Sequence, residues 1–340
     1  MRLLIWGAGA IGGTLGAYLA RAGHDVTFVD RAAEHVAAIR TNGLRISGPI
    51  AEFTVGAPAA TPDELAGQWE TIVLAVKAQD TRAAAAALAP HLTADGCVVS
   101  AQNGLNEMVI AEVVGQARTM GCFVNFGADY LEPGLILYGG RGAVVLGELD
   151  GEITPRLAQL HGVFRQFEEN AIVTDNIWGY LWGKLAYGAQ LFVTALTDDS
   201  IADALADERY QAVYISVAQE VMRIALARGV TPMGFNGFDP LAFLPDTPRV
   251  VSIQSLRDME AFNRKSAKSH SGIWRDLAVR RRKTEADAQL GPIVTLGAEV
   301  GVPAPLVART IEMIHDIEAG RRAMSRANLD ELAALLPAKT

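Results

Sequence analysis

Cysteine is nearly absent: the 340-residue chain has two, Cys97 and Cys122. Two thiols make no disulfide framework and show no metal-ligand spacing. Cys97 lies in the apolar run Gly96 to Ala101, and both cysteines read as small core residues rather than reactive thiols. Basic charge is also short. Thirty Lys and Arg stand against 38 Asp and Glu, a net charge of −8. That balance argues against binding nucleic acid by neutralising its phosphates. No apolar run is long enough to span a bilayer, and the apolar N-terminus reads as a first strand rather than a leader. Internal repeats and low-complexity linkers are missing too. The expectation is a soluble, cytoplasmic protein with no nucleic-acid partner, no membrane partner and no metal.

Half of the residues are hydrophobic, enough for a substantial core, and the length suggests two domains. The stretch the rest is organised around is the first, MRLLIWGAGAIG. Arg2 to Trp6 suits a buried parallel strand. Gly7-Ala8-Gly9-Ala10-Ile11-Gly12 follows at once, and a helical pattern begins inside it. In this spacing Gly7 allows the tight turn and Gly9 lets backbone approach a pyrophosphate. Gly12 lets the helix pack on the sheet, with its N-terminus towards the phosphates. A second strand, Asp25 to Val29, ends in Asp30, close to the spacing of a ribose-binding acid. The bland alternative is a glycine-rich turn without a ligand.

Asp30 and Arg31 arrive together and pull in opposite directions. Asp30 can accept from both ribose hydroxyls of NAD and would repel the 2′-phosphate of NADP, which Arg31 would attract. At ~4 Å and an effective dielectric of ~20 each effect is on the order of 4 kcal/mol. The residues alone lean to NAD. A further strand, Thr71 to Val76, runs into Lys77, and another, Cys97 to Ala101, runs into Gln102-Asn103-Gly104. Ligands bind at the carboxyl ends of such strands. Lys77 therefore reads as a cation lining the cofactor site, and Asn103 as an amide orienting the nicotinamide or the reacting carbonyl. As alternatives, they are a surface lysine and a turn asparagine. Phe123 to Leu146 reads as short strands on the far side of the sheet. Pro155 to Gln166 reads as helix and Ala171 to Thr174 as a closing strand.

The domain boundary is placed at Asp175-Asn176, giving domains 1–175 and 176–340. Beyond it the pattern is helical, about Ile177 to Leu196, Asp207 to Arg228, Val250 to Phe262, Thr284 to Val300 and Ala304 to Ala319. The stretch Thr231 to Arg249, with four prolines and three phenylalanines, reads as an ordered loop or a lid. The first of these helices carries Lys184, which by helical spacing shares a face with Tyr180, Tyr187, Gly188 and Phe192. A lysine there either snorkels to water or serves as a general acid tuned by burial and a partner carboxylate. Glu285 is a candidate partner, or simply an acid in a first helical turn capped by Thr284. Arg280 to Lys283 reads as a solvated basic run with one member able to reach a phosphate or carboxylate.

Taken together, these stretches resemble the ketopantoate reductase (2-dehydropantoate 2-reductase) family. The residues that carry the resemblance are Gly7 to Gly12, Val76-Lys77-Ala78, Gln102-Asn103-Gly104, Trp182-Gly183-Lys184-Leu185, Thr284-Glu285 and Val302-Pro303-Ala304-Pro305. It spans nearly the whole chain. It implies an α/β fold, an N-terminal Rossmann dinucleotide-binding domain followed by an all-helical C-terminal domain. It also implies hydride transfer from NADH or NADPH to the keto carbon of a small 2-oxo acid, and a homodimer. Lys184 would protonate the developing alkoxide. Glu285 would hold Lys184, or a hydroxyl of substrate or cofactor, and Asn103 would contact nicotinamide and substrate. Arg31 matches the family's 2′-phosphate contact, which favours NADP against the reading of Asp30. Ser271 lies near the family's substrate-binding serine, displaced by about two residues.

The chain also departs from the family. Where the family carries asparagines one and two turns beyond the lysine, this chain has Gly188 and Phe192, and a third asparagine is replaced near Ala202. Each lost hydrogen bond is worth roughly 0.5–1.5 kcal/mol. Three together reduce affinity for ketopantoate on the order of 10²-fold or more. The expectation is a family member acting on a larger or less polar oxo compound, with Gly188 and Phe192 in its pocket. The alternatives are an imine-reducing opine-type enzyme, an alcohol dehydrogenase on the same scaffold, or a dinucleotide-binding regulator without turnover.

Overall fold

A computed structural model describes residues 1–235, 237–265 and 269–337. The chain divides into two compact units, Met1–Ile177 and a second from Trp178 onward. The first contains, in chain order, β1 (Arg2–Trp6), α1 (Ala10–Arg21), β2 (Asp25–Val29), α2 (Ala33–Asn42), β3 (Leu44–Ser47), β4 (Phe53–Val55), β5 (Ala59–Ala60) and β6 (Trp69–Leu74). It continues with α3 (Thr81–Leu88), β7 (Leu92–Ser100), α4 (Asn106–Val114), β8 (Thr119–Val124), β9 (Gly127–Glu132), β10 (Leu135–Gly140), β11 (Val144–Glu148), α5 (Pro155–Phe164) and β12 (Ile172–Val173).

Alternation along β1 explains the layering. Leu3 and Ile5 enter one core with Leu15 and Leu19 of α1 and Leu157, Leu160 and Phe164 of α5. Leu4 and Trp6 enter the opposite core with Ala84 and Leu88 of α3 and Ile110 and Val114 of α4. Successive strand residues point to opposite faces, so a strand apolar throughout must be covered on both sides. Each such side chain contributes about 1.5–3 kcal/mol. The eight-stranded sheet runs β12-β11-β8-β7-β6-β1-β2-β5. Its pairs are parallel except β8 with β11. β1 lies between β2 and β6, the point where strand order reverses and ligands bind in such sheets. Cys97 and Cys122 are buried in the sheet core, and burial pushes the Cys97 thiol up.

The stretch 123–146 departs from its reading as the far side of one sheet. β8 and β11 belong to the main sheet, whereas β9 and β10 join β3 and β4 in a second sheet ordered β4-β3-β10-β9. Pairing partners about 90 residues apart, such as Leu135 with Arg45, leave no periodic trace in either segment. The helices α2 and α4 are further elements that the sequence expectations do not contain.

The second unit holds α6 (Ile177–Thr194, whose first residue belongs to the first unit), α7 (Ile201–Ala206), α8 (Gln211–Ala227), α9 (Arg249–Arg264), α10 (Gly272–Trp274), α11 (Ala286–Gln289), α12 (Gly291–Glu299), α13 (Pro305–Glu318) and α14 (Ala327–Ala334). The expected helix 284–300 is two helices, because Pro292 sits in the first turn of α12 and lacks the N–H that would continue α11. The expected helix from Asp207 begins at Gln211. Asp207 instead follows α7, and its carboxylate accepts the Arg209 N–H at 3.1 Å. The stretch 231–249 is an ordered, core-forming segment. Phe238 and Phe243 stack at 5.4 Å and are buried, and Pro240–Phe243 forms a short turn capped by Asp239. Asn236 lies outside the described residues.

Candidate active site

The turn after β1 is shaped by close approach. Gly7 has φ +98, and a Cβ there would lie 2.8 Å from the Val76 amide nitrogen, two residues past the end of β6. A Cβ on Gly12 would lie 2.1 Å from the Gly7 carbonyl oxygen. Gly9 is different: a Cβ there meets nothing within 4 Å. Packing does not demand glycine at this position, so the space in front of it is available to a ligand. Gly9 is the N-cap of α1 without any side-chain cap, which leaves the positive end of the helix facing outward. These features fit a bound dinucleotide pyrophosphate. Ala8 is fully buried, while Ala10 and Ile11 are partly exposed on the first turn.

Asp30 is tied to that turn. One carboxylate oxygen accepts the Ala8 N–H at 2.9 Å and the other accepts the Ala32 N–H at 3.0 Å. His35 completes the support, although nothing in its sequence context marks it. The Gly134 N–H donates to its Nδ1 at 2.9 Å. Nε2 therefore carries the proton that donates to the Ala8 carbonyl, also at 2.9 Å. Arg31 is largely exposed, and its guanidinium donates to Asp80 at 3.1 Å. Asp80 lies in the short turn that follows Lys77. Lys77 is half-buried and Asn103 exposed.

The loops bearing Lys77 and Asn103 are joined by a buried chain of hydrogen bonds. Gln102 Nε2 donates to the Val76 carbonyl at 2.9 Å and to Thr81 Oγ1 at 2.8 Å. Thr81 Oγ1 donates to Asn106 Oδ1 at 2.8 Å, and Asn106 Nδ2 donates to the Asn103 carbonyl at 2.6 Å. Gln102, Thr81 and Asn106 are all buried. A buried polar side chain next to a candidate site residue was the available signal, and the sequence does not report burial.

In the second unit, α6 presents a half-buried strip formed by Tyr180, Lys184, Tyr187, Gly188 and Leu191. Phe192 does not belong to it. Its side chain is 0% exposed, so the expectation that Phe192 lines a pocket is corrected: it is a core residue. The reason is rotation at about 100° per residue. Seven residues past Lys184 the helix returns to within about 20° of it, whereas eight overshoot by about 80°. Ala202 is also buried, in α7. The segment 231–249 packs along α6. The Met233 N–H donates to the Gly179 carbonyl at 3.0 Å, and a Cβ on Gly183 would lie 2.2 Å from the Met233 carbonyl oxygen. Glycine beside the lysine thus serves close approach. Tyr187 contacts Phe235 and Phe238 at 5.9 and 5.5 Å between ring centres, and burial pushes its phenol up against the opposing hydrogen bond from Asn263.

Glu285 and Gln289 are half-buried on α11, one turn apart, with the Gln289 N–H donating to the Glu285 carbonyl at 2.9 Å. Two contacts with α13 anchor this turn: Glu318 accepts from Thr284 Oγ1 at 2.8 Å, and Asp287 pairs with His315 at 2.9 Å. Thr284 Oγ1 also accepts the Ala286 N–H at 3.2 Å, which caps the turn. Gln289 Oε1 lies 4.0 Å from where a Gly188 Cβ would stand. Ser271 is buried and its hydroxyl accepts the Trp274 N–H at 3.1 Å, a helix cap. In the basic run, Arg280 and Arg282 both donate to the buried Asp276. Among the described residues no helix is long and apolar enough to cross a membrane. Among them, no group of three or more His, Cys, Asp or Glu side chains is placed to hold a metal ion.

The family model described as ketopantoate reductase PanE/ApbA matches residues 3–151, and its C-terminal counterpart matches residues 176–318. The 2-dehydropantoate 2-reductase of Pyrococcus horikoshii is 29% identical over 313 residues, covering 90% of this chain and 94% of its own length. That of Archaeoglobus fulgidus is 28% identical over 322 residues, covering 94% and 98%. Among solved structures, a PanE/ApbA family ketopantoate reductase from Ralstonia eutropha superposes with a TM-score of 0.79 at 27% identity, covering 94% of this chain and 99% of the other. A D-mandelate dehydrogenase with NADH and anilino(oxo)acetate superposes at 0.81 with 23% identity, covering 94% and 99%, a likeness of fold.

Proposed function

The chain belongs to the ketopantoate reductase PanE/ApbA family and is an NAD(P)-dependent oxidoreductase of that family; from that premise we propose that it reduces the keto group of a 2-oxo acid, with Lys184 as general acid. The observation that carries this reading is the half-buried strip on α6. It places Lys184 one helical turn before Gly188, where a Cβ would meet a single neighbour, at 4.0 Å.

The nicotinamide, when bound, supplies the hydride. The chain's own residues do the rest. Gly9 and the first turn of α1 receive the pyrophosphate. Asp30 accepts from the adenosine ribose while it holds the turn at Ala8. With an acid at that position and Arg31 turned to Asp80, NADH is the preferred cofactor. Lys77 lines the cofactor site, and the exposed amide of Asn103 orients the nicotinamide and the carbonyl. The Lys184 ammonium donates its proton to the C2 oxygen as negative charge develops there, and stabilises that charge beforehand. Glu285 positions the lysine or a substrate hydroxyl. Ser271 acts through the cap it forms, with its O–H left to donate to substrate.

The pocket side of the strip offers Gly188 and Leu191 rather than amides, which favours a substrate bulkier than ketopantoate. The test follows nicotinamide absorbance with NADH and with NADPH over a panel of 2-oxo acids, with and without ammonium. Lys184→Ala should lower kcat by roughly 10²–10⁴-fold while NADH still binds with unchanged Kd. Unchanged turnover in that variant refutes the general acid. Ammonium-dependent turnover means an imine reductase. Ketopantoate outperforming every bulkier acid by a wide margin sinks the substrate assignment.

A further inference from the structure

Resting on the oxo-acid reading above, we propose that Gln289 is a specificity-determining residue whose side-chain amide hydrogen-bonds a polar atom on the substituent of the 2-oxo acid, in the gap left by Gly188.

The geometry is local to one unit. A Cβ built on Gly188 has a single neighbour within 4 Å, the Oε1 of Gln289 at 4.0 Å. Gln289 is half-buried, yet among the described residues its amide makes no hydrogen bond, whereas its backbone N–H is paired within α11. A primary amide carries two donors and an acceptor, and here all of them remain available to a ligand. The amide is also well placed to be read. Its turn is pinned to α13 through Thr284 with Glu318 and Asp287 with His315, which holds its backbone in place.

The remainder of the strip narrows the role. Tyr187 is packed against Phe235 and Phe238, and Leu191 is apolar. Gly188 lies one helical turn beyond Lys184, roughly 5–6 Å along the axis. With Lys184 on the C2 oxygen, an amide facing Gly188 meets the substrate beyond C2, on its side chain. The substrate class is therefore a 2-oxo acid with a hydroxyl or carbonyl oxygen on its side chain, larger than an unbranched short-chain acid.

The test compares two matched pairs that differ by one hydroxyl: ketopantoate with 3,3-dimethyl-2-oxobutanoate, and 4-hydroxyphenylpyruvate with phenylpyruvate. In the unaltered enzyme the hydroxylated member of at least one pair should have the higher kcat/KM by about tenfold, one hydrogen bond's worth of discrimination. Gln289→Leu should bring that ratio to within about twofold of unity, with NADH Kd unchanged, by the same reckoning. Gln289→Asn keeps the amide but shortens its reach, and should give an intermediate ratio; it also serves if the leucine variant misfolds. A ratio that neither variant moves, or an unaltered enzyme indifferent to the hydroxyl in both pairs, overturns the assignment. Absence of turnover with all four acids and with the wider panel is a different failure, that of the oxo-acid reading itself, and the assignment falls with it.

Discussion

The carboxylate of Asp30 accepts the backbone N–H of Ala8 at 2.9 Å. The acid at the end of β2 and the turn after β1 are thus one unit, although 22 residues separate them. The carboxylate shapes the turn after β1, and in the function proposed above it also accepts from a ribose hydroxyl. Asp30→Ala should therefore weaken NADH binding more than loss of one ribose contact would. A charge-assisted hydrogen bond contributes roughly 1.5–3 kcal/mol, so Kd should rise by about 10-fold or more. Fluorescence titration with NADH reads this directly, and a change under about twofold would show that neither role matters.

Asp80 bears on cofactor choice from the other side. It pairs with Arg31, the one basic residue at the end of β2. Exposed ion pairs of this kind contribute only about 0–1 kcal/mol, so Asp80 biases Arg31 rather than immobilising it. Asp80→Ala should raise the NADPH-to-NADH ratio of kcat/KM by up to about fivefold. Arg31→Ala should lower the same ratio. If both variants keep the original ratio, the pair plays no part in cofactor selection.

The chain of hydrogen bonds through Gln102 predicts a coupled effect. Gln102→Leu removes the donor to the Val76 carbonyl and to Thr81. Leaving such groups unpaired in a buried site costs roughly 1–3 kcal/mol. Thermal unfolding should report that loss, and the steady-state KM for NADH should rise because the Lys77 and Asn103 loops lose their common brace. Gln102→Glu retains an acceptor only and should not rescue. A destabilised protein with an unaltered KM would separate the network from the site.

Glu220 on α8 gives a prediction in pH. Its two carboxylate oxygens accept the N–H groups of Leu306 and Val307 at 3.0 Å each, at the start of α13. Burial pushes its carboxyl up, and the two N–H groups offset that only in part. The folded protein therefore holds this proton more tightly than the unfolded chain does. The associated stabilisation is fully present below the unfolded value and is lost as pH rises through the raised folded value. Urea unfolding at a series of pH values should show the unaltered protein losing stability relative to Glu220→Gln across that interval, and parallel curves would refute it. Glu220→Ala should cost roughly 1–3 kcal/mol for each orphaned N–H.

Much of the first unit's structure around the glycine turn was legible because it is local. Gly7, Gly9 and Gly12 follow a strand and open a helix, and the backbone requirements of that turn appear in adjacent residues. The helical character of the second half was legible for the same reason, since periodicity is a short-range signal. Lys184 was recognisable as an unusual residue on an apolar helix. The direction of its face differs by one position from the expectation: Leu191 belongs to the strip and Phe192 to the core. A helix that is apolar nearly all round does not declare which side the core occupies; only burial does.

By itself the sequence determined the glycine turn between β1 and α1, the acid that follows β2, the succession of an α/β unit by a helical one, and the candidate lysine. These rest on neighbouring residues and their intrinsic conformational preferences. The tertiary structure alone decided the second sheet, the His35 brace on Ala8, the Gln102 network, and the meeting of Gly188 with Gln289. Each joins residues brought together by the packing of separate elements, and the physical reason is the same in all four. A hydrogen bond or a gap between distant segments exists only once both backbones are in place, and nothing in either segment's own pattern encodes the other.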